Sequence, residues 1–170
     1  MAYDIDRIVA KVAETVKEQE AQRVPSPKAL TFEGKMTLAL ARLLIEGVQK
    51  EAQRMGVRSV VAVADGGGNP VSIDCSDGAF YASYDIALNK AYTSVALQMP
   101  TVKLATLAAP GGSLYGIQHT NGGRIVIFGG GDPLKYNGTV IGGIGVSGGS
   151  AEEDTALSAY GAELFYELTR

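Results

Sequence analysis

The chain reads as an α+β protein in which helices pack on an antiparallel sheet, and three observations point there. Runs rich in β-branched residues come as neighbours joined by glycine turns, at 60–75 and 124–147. Four longer stretches carry apolar residues at helical spacing, and strands and helices do not alternate in the regular order of a doubly wound sheet.

Taken in order, residues 3–22 place Ile5, Ile8, Val9, Val12, Ala13 and Val16 on one helical face, with Arg7, Lys11, Glu14, Lys17 and Glu18 opposite. A helix of this length draws most of its stability from burying that face, so it needs a surface to cover. Val24-Pro25-Ser26-Pro27 follows as a short stiff linker over 24–28, because proline fixes its own φ and disfavours helix in the residue before it. The main domain then spans 29–170. Its first helix is expected from Thr31 to Met55, with Leu38, Leu40, Ala41, Leu44, Ile45 and Val48 inward and Gly56 as the stop. "VRSVVAVAD" and "PVSIDCS" form a hairpin around Gly66-Gly67-Gly68-Asn69. In the second run Val71, Ile73 and Cys75 alternate with Ser72, Asp74 and Ser76, which places Cys75 on the buried face.

Residues 82–98 are helical by pattern, with Ile86, Ala87, Lys90, Ala91, Ser94 and Val95 on the repeat, and "TVKLATLAA" forms a shorter helix ending at Pro110-Gly111-Gly112. "RIVIF" (124–128) and "TVIGGIGVS" (139–147) are expected as strands, linked by Gly129-Gly130-Gly131-Asp132-Pro133 and a turn at Asn137-Gly138. The last helix covers about 151–168, opened by the capping box of Ser150 and Glu153.

The composition narrows the function classes. A single core suits 170 residues. The net charge of −3 argues against nucleic acid as a partner. No apolar run reaches the roughly 20 residues of a membrane helix, and the N-terminus lacks an apolar signal core, so the cytoplasm is the expected compartment. One cysteine excludes an internal disulfide and a multi-cysteine metal site within one chain.

Residues 143–149 match two enzyme motifs at once, and their surroundings disfavour both. Gly143, Gly145 and Gly148 have the dinucleotide spacing, but the 21 residues after Gly149 read as helix with no second strand, and Glu152, Glu153 and Asp154 occupy the helix end where a pyrophosphate would sit. Ser147 has the nucleophile-elbow spacing, yet the one histidine, His119, lies upstream of it. The glycines are better explained by a helix or neighbouring subunit approaching the strand closely, and by a turn at Gly148-Gly149. No catalytic constellation is evident. The candidate binding groups are His119, as the one strong nitrogen ligand, Cys75, and the tyrosines Tyr81, Tyr84 and Tyr92 along the helix at 82–98, which can either pack or line an aromatic pocket. Asp65, Asp77 and Asp85 read as turn and cap residues.

Together "VVAVADGGGNPV", "ALNKAYTSVAL", "LYGIQHTNGGRIVIFGGGDPL" and "GTVIGGIGVSGGSAEED" resemble the GlcG/HbpS-like family, which includes the C-terminal domain of PduO-type proteins. The likeness covers about residues 29–168. It implies a profilin-like fold with an antiparallel sheet of about five strands flanked by helices, and assembly into a homo-oligomer. It also implies a bound haem, ahead of a corrinoid, with haem degradation or iron release in some members. Some relatives use a histidine in or just before the first domain helix; residues 28–56 contain none, which leaves His119 first and Cys75 second as axial candidates, with Tyr84 and Tyr92 beside the ligand. The helix at 1–23 with its proline linker resembles the encapsulation peptides that carry enzymes into bacterial microcompartments, which makes a shell protein a candidate partner through residues 3–22; the alternative is that it packs on its own domain or across an oligomer interface. With four basic and five acidic residues, the segment does not suit a membrane surface. The competing function is an oligomeric scaffold or cargo protein without a tetrapyrrole.

Overall fold

A computed structural model describes residues 33–170. The expected helix at 3–22, the linker and the predicted first turn at Thr31 lie outside the described residues. Helix α1 spans Leu38–Arg54, strand β1 Val60–Asp65, β2 Pro70–Cys75, α2 Tyr81–Ala96, α3 Thr101–Ala108, β3 Gly131–Tyr136, β4 Thr139–Ser147 and α4 Ala151–Thr169, with two 3-10 turns at Ile117–His119 and Asn121–Gly123. The α+β architecture and its antiparallel, helix-flanked sheet are as expected. The sheet has four strands in the order β2-β1-β4-β3, every pair antiparallel, where five were expected.

The missing strand is "RIVIF". Residues 125–127 join no ladder; Val126 donates its backbone N–H to Thr93 Oγ1 on α2 at 3.0 Å, and Thr93 in turn donates to Asn89 O and Arg124 O. A helix side chain thus supplies the partner that a strand would have given. The β3 strand forms instead from "GDPLKY", turned into β4 by Asn137 and Gly138, whose φ angles of 47° and 79° match the twist of a two-residue hairpin. Pro133 is tolerated there because β3 is an edge strand.

Helix α1 begins seven residues later than its pattern suggests. Thr37 takes the N-cap, its hydroxyl accepting from Leu40 N at 3.2 Å, and residues 33–36 before it are not helical. Gly56, at φ 76°, closes the helix as expected. At the hairpin, Asp65 Oδ1 accepts from the N–H groups of Gly67 and Asn69, both at 2.9 Å. Burial pushes this carboxyl up, but those hydrogen bonds outweigh it and hold Asp65 below the ordinary carboxylate range.

Strand β4 divides the core by its two-residue period. A Cβ at Gly143 would lie 2.6 Å from Ala91 O and 2.8 Å from Val95 Cγ2, and one at Gly145 would lie 2.5 Å from Ala91 N and closer still to Ala87 O. Helix α2 therefore rests directly on the β4 backbone, with Ala87 and Ala91 packed against Val60, Ala62 and Ala64 of β1. Ile144 points to the other face, where a Cβ at Gly161 of α4 would lie 2.6 Å from its Cδ1 and 3.0 Å from Val48 of α1. Helices α1 and α4 thus form one outer layer and α2 the other. Close approach of a helix explains these glycines.

Candidate functional site

Two places collect chemistry. The first is a groove of about 890 Å³ between α1 and the ends of β1 and β2, lined by Arg42, Gln49, Lys50, Arg58, Cys75 and Asp77 among others. Gln49 builds its floor: Nε2 donates to Ser59 O and Asp74 O, both at 3.2 Å, while Oε1 accepts from Ser59 Oγ at 3.1 Å and Ser76 Oγ at 2.7 Å. One amide thus ties the helix to two strands. Of the three cations, Lys50 pairs with Glu46 at 2.6 Å, whereas no ion pair is formed among the described residues by Arg42 or Arg58.

The second place is the start of α4. Lys90, fully buried on α2, donates from Nζ to Asp154 Oδ2 and to Val146 O, both at 2.7 Å, and the Phe128 ring covers it at 5.0 Å. Asp154 Oδ1 accepts from Gly149 N at 2.9 Å. Burial pushes the Lys90 ammonium below its ordinary value, and Asp154 opposes that shift. Ser150 and Glu153 close the capping box beside it, with bonds of 2.8 and 3.2 Å. Glu152, Glu153 and Asp154 sit in the first turn of α4 where the sequence placed them, but Asp154 faces the protein interior and neutralises a buried lysine. Nothing in the chain's motifs marked this pair, although a lysine on the repeat with Ala87, Ala91 and Ser94 was a signal that it needed an internal partner.

The residues singled out from sequence are dispersed. Cys75 is exposed and lines the groove, against the expectation that it faces the core. The reason is that β2 is an edge strand, and its alternate positions Val71 and Ile73 are only half-buried, so the run has no fully covered face at its end. His119 ends a 3-10 turn with its imidazole exposed, Nε2 3.5 Å from Gln118 Nε2. Tyr92 is half-buried and held by its surroundings: Arg124 stacks on its ring at 3.6 Å and Asn121 Nδ2 donates to its hydroxyl at 3.3 Å. That contact brings Tyr92 to the loop that follows His119. Tyr81 and Tyr84 are exposed on α2. The groove that holds Cys75 is lined by none of His119, Tyr84 and Tyr92. Among the described residues, no three His, Cys, Asp or Glu side chains are grouped to hold a metal ion, and no helix is long and apolar enough to cross a membrane.

The groove is polar: Glu46, Asp74 and Asp77 stand beside its three cations, and Val57 is its one apolar side chain. Its volume falls within the roughly 300–1,000 Å³ of cofactor sites, a thiol offers a soft ligand of the kind haem iron accepts, and Arg42 and Arg58 are available to carboxylate substituents.

Comparison with known proteins places the domain in a family. Residues 36–163 match the family model described as haem degrading protein HbpS-like. An uncharacterised 15.0 kDa protein from the dhaT-dhaS intergenic region of Citrobacter freundii is 46% identical over 133 residues, covering 78% of this chain and 94% of that protein. The corrinoid adenosyltransferase PduO of Salmonella typhimurium is 36% identical over 133 residues, again 78% of this chain but only 38% of that protein's length. A solved structure of a PduOC:heme complex superimposes with a TM-score of 0.73 at 32% identity, covering 76% of this chain and 94% of that one. With the family model spanning most of the domain, the chain belongs to the HbpS-like family.

Proposed function

We propose that this protein is a haem- or tetrapyrrole-binding accessory protein and that the groove between α1 and β2 is its binding site. The observation that carries the reading is the exposed Cys75 in the wall of a cofactor-sized groove that also presents Arg42 and Arg58 without ion pairs among the described residues. Bound there, a haem would supply iron-centred ligand and redox chemistry; the chain's part is to offer a sulfur donor and to meet the carboxylate edge with guanidinium groups. The haem complex of the PduOC relative supports the choice of ligand. His119, with Tyr92 held by the loop that follows it and Tyr84 exposed on α2, is the alternative ligand set. Residues 1–23 act in this reading as an encapsulation peptide that places the 29–170 domain inside a bacterial microcompartment through a shell protein. The PduO likeness supports that setting.

Haemin titrated into the protein should give a saturable Soret shift that Cys75→Ser changes and His119→Ala leaves alone. A change in the His119 variant only would move the ligand to that residue, and no saturable binding by the wild type would end the haem reading. Tyr81 and Tyr84, exposed one turn apart on α2, favour a second reading, an oligomeric scaffold or cargo protein without a tetrapyrrole. Light scattering of a Tyr81→Ser/Tyr84→Ser variant tests it, since that reading requires the assembly to weaken.

A further inference from the structure

We propose that a second cavity, of about 280 Å³, binds a compact neutral alcohol. It lies beside the start of α4 and is lined by Phe80, Ser83, Ile86, Phe128, Ser147 and Asp154, with Gly148 and Gly149 in its wall. The inference does not depend on the tetrapyrrole reading, whose groove shares none of these residues.

The polar end of the cavity has unspent hydrogen-bonding capacity. Ser83 and Ser147 are 3% and 5% exposed, and their Oγ atoms lie 3.1 Å apart. Each hydroxyl carries one proton, so the bond between them uses one and leaves the other to be donated elsewhere. Asp154, 3% exposed, accepts from Lys90 on one oxygen and from Gly149 N on the other. A carboxylate has about four lone-pair sites, so further acceptor capacity stays open. One ligand group can use both: a hydroxyl accepts the spare serine proton through its oxygen and donates its own proton to Asp154.

Charge and shape narrow the class. Lys90 already balances Asp154 at 2.7 Å, and Glu152 and Glu153 occupy the same helical turn, so an anion would meet repulsion. A ligand cation would have to compete with a buried ammonium for the same carboxylate. The remaining wall is apolar, with Phe80 and Phe128 exposed at 73% and 42% beside the half-buried Ile86, a cover suited to a short aliphatic or benzylic stem. A neutral alcohol satisfies all of these conditions.

The test is amide NMR on the full chain with four probes of one shape: benzyl alcohol, benzaldehyde, toluene and benzoate. Benzyl alcohol should give saturable shifts centred on Ser83, Ser147, Gly148, Gly149 and Ala151. Benzaldehyde, which accepts but cannot donate, should bind more weakly, toluene more weakly still, and benzoate not at all. Ser83→Ala/Ser147→Ala should weaken benzyl alcohol roughly two- to tenfold, the range of a lost neutral hydrogen bond. Phe80→Ala, at an exposed site that leaves the core intact, should also weaken it. No saturable shift, benzoate binding as well as the alcohol, or unchanged affinity in the folded double-serine variant would overturn the proposal. If that variant does not fold, unchanged affinity in Phe80→Ala overturns it.

Discussion

Replacing Lys90 by methionine tests the buried ion pair that joins the two ends of the domain's most distinctive segments. The substitution keeps an unbranched stem but removes the ammonium from a site with no solvent exposure. Val146 O loses a donor at 2.7 Å, and the Asp154 carboxylate, only 3% exposed, retains the single bond from Gly149 N. Removing one partner of a buried pair costs about 3–5 kcal/mol, because the other charge is left without compensation. For a domain of this size each kcal/mol lowers the melting temperature by about 2–4 °C, so the expected drop is roughly 6–20 °C. A Lys90→Met/Asp154→Leu variant removes both charges and should return to within about 2 kcal/mol of the wild type, the residual being the lost acceptor for Gly149 N and the lost donor to Val146 O. Urea unfolding at fixed protein concentration, with unchanged m-values, measures all three, and the double-mutant cycle should show a coupling of about 2 kcal/mol or more. A cost below about 1 kcal/mol for the single variant, or simple additivity in the double, would refute the reasoning.

Two further predictions concern packing and titration. Gly145→Ala should destabilise by about 3 kcal/mol or more, since its Cβ would press on the α2 backbone at Ala87 O and Ala91 N, and backbone atoms cannot yield as a flexible side chain does; calorimetry showing a change below about 1 kcal/mol would contradict that contact. Burial pushes Asp132 above the ordinary carboxylate range, and the hydrogen bond from Ser158 only partly offsets this. A carboxyl with a raised folded-state pKa favours the fold while protonated and costs stability as pH rises through that raised value. Asp132→Asn, which stays neutral and keeps an acceptor for Ser158, should therefore raise the melting temperature at pH 7, with the gain shrinking as pH falls into the ordinary carboxylate range. A variant less stable than wild type at pH 7 would contradict the assignment.

Local signals in the sequence were read well where the physics is local. The capping box at Ser150 and Glu153, the glycine stop at Gly56, and the turns at Gly66–Asn69 and Asn137-Gly138 each depend on a few adjacent residues, and each is present. The close approach of a helix at Gly143 and Gly145 was also legible, because a strand that sheds its side chains at alternate positions invites a backbone neighbour. Segment 124–128 misled because its β-branched residues satisfy a strand pattern equally well when they line a helix, and Thr93, 33 residues earlier, supplied the competing hydrogen bond. Cys75 misled because alternation tells which residues share a face and not whether anything covers it.

The sequence by itself determined the fold class, the family likeness and most element boundaries, since these follow from periodicity, caps and turns that act within a few residues. Only the tertiary structure decided that Lys90 meets Asp154 across 64 positions, that Gln49 clasps both strands of the hairpin, and that Cys75 stands apart from His119 in a groove beside Arg42 and Arg58. Burial and charge pairing depend on what the folded chain brings alongside each group, and no spacing along the chain encodes that.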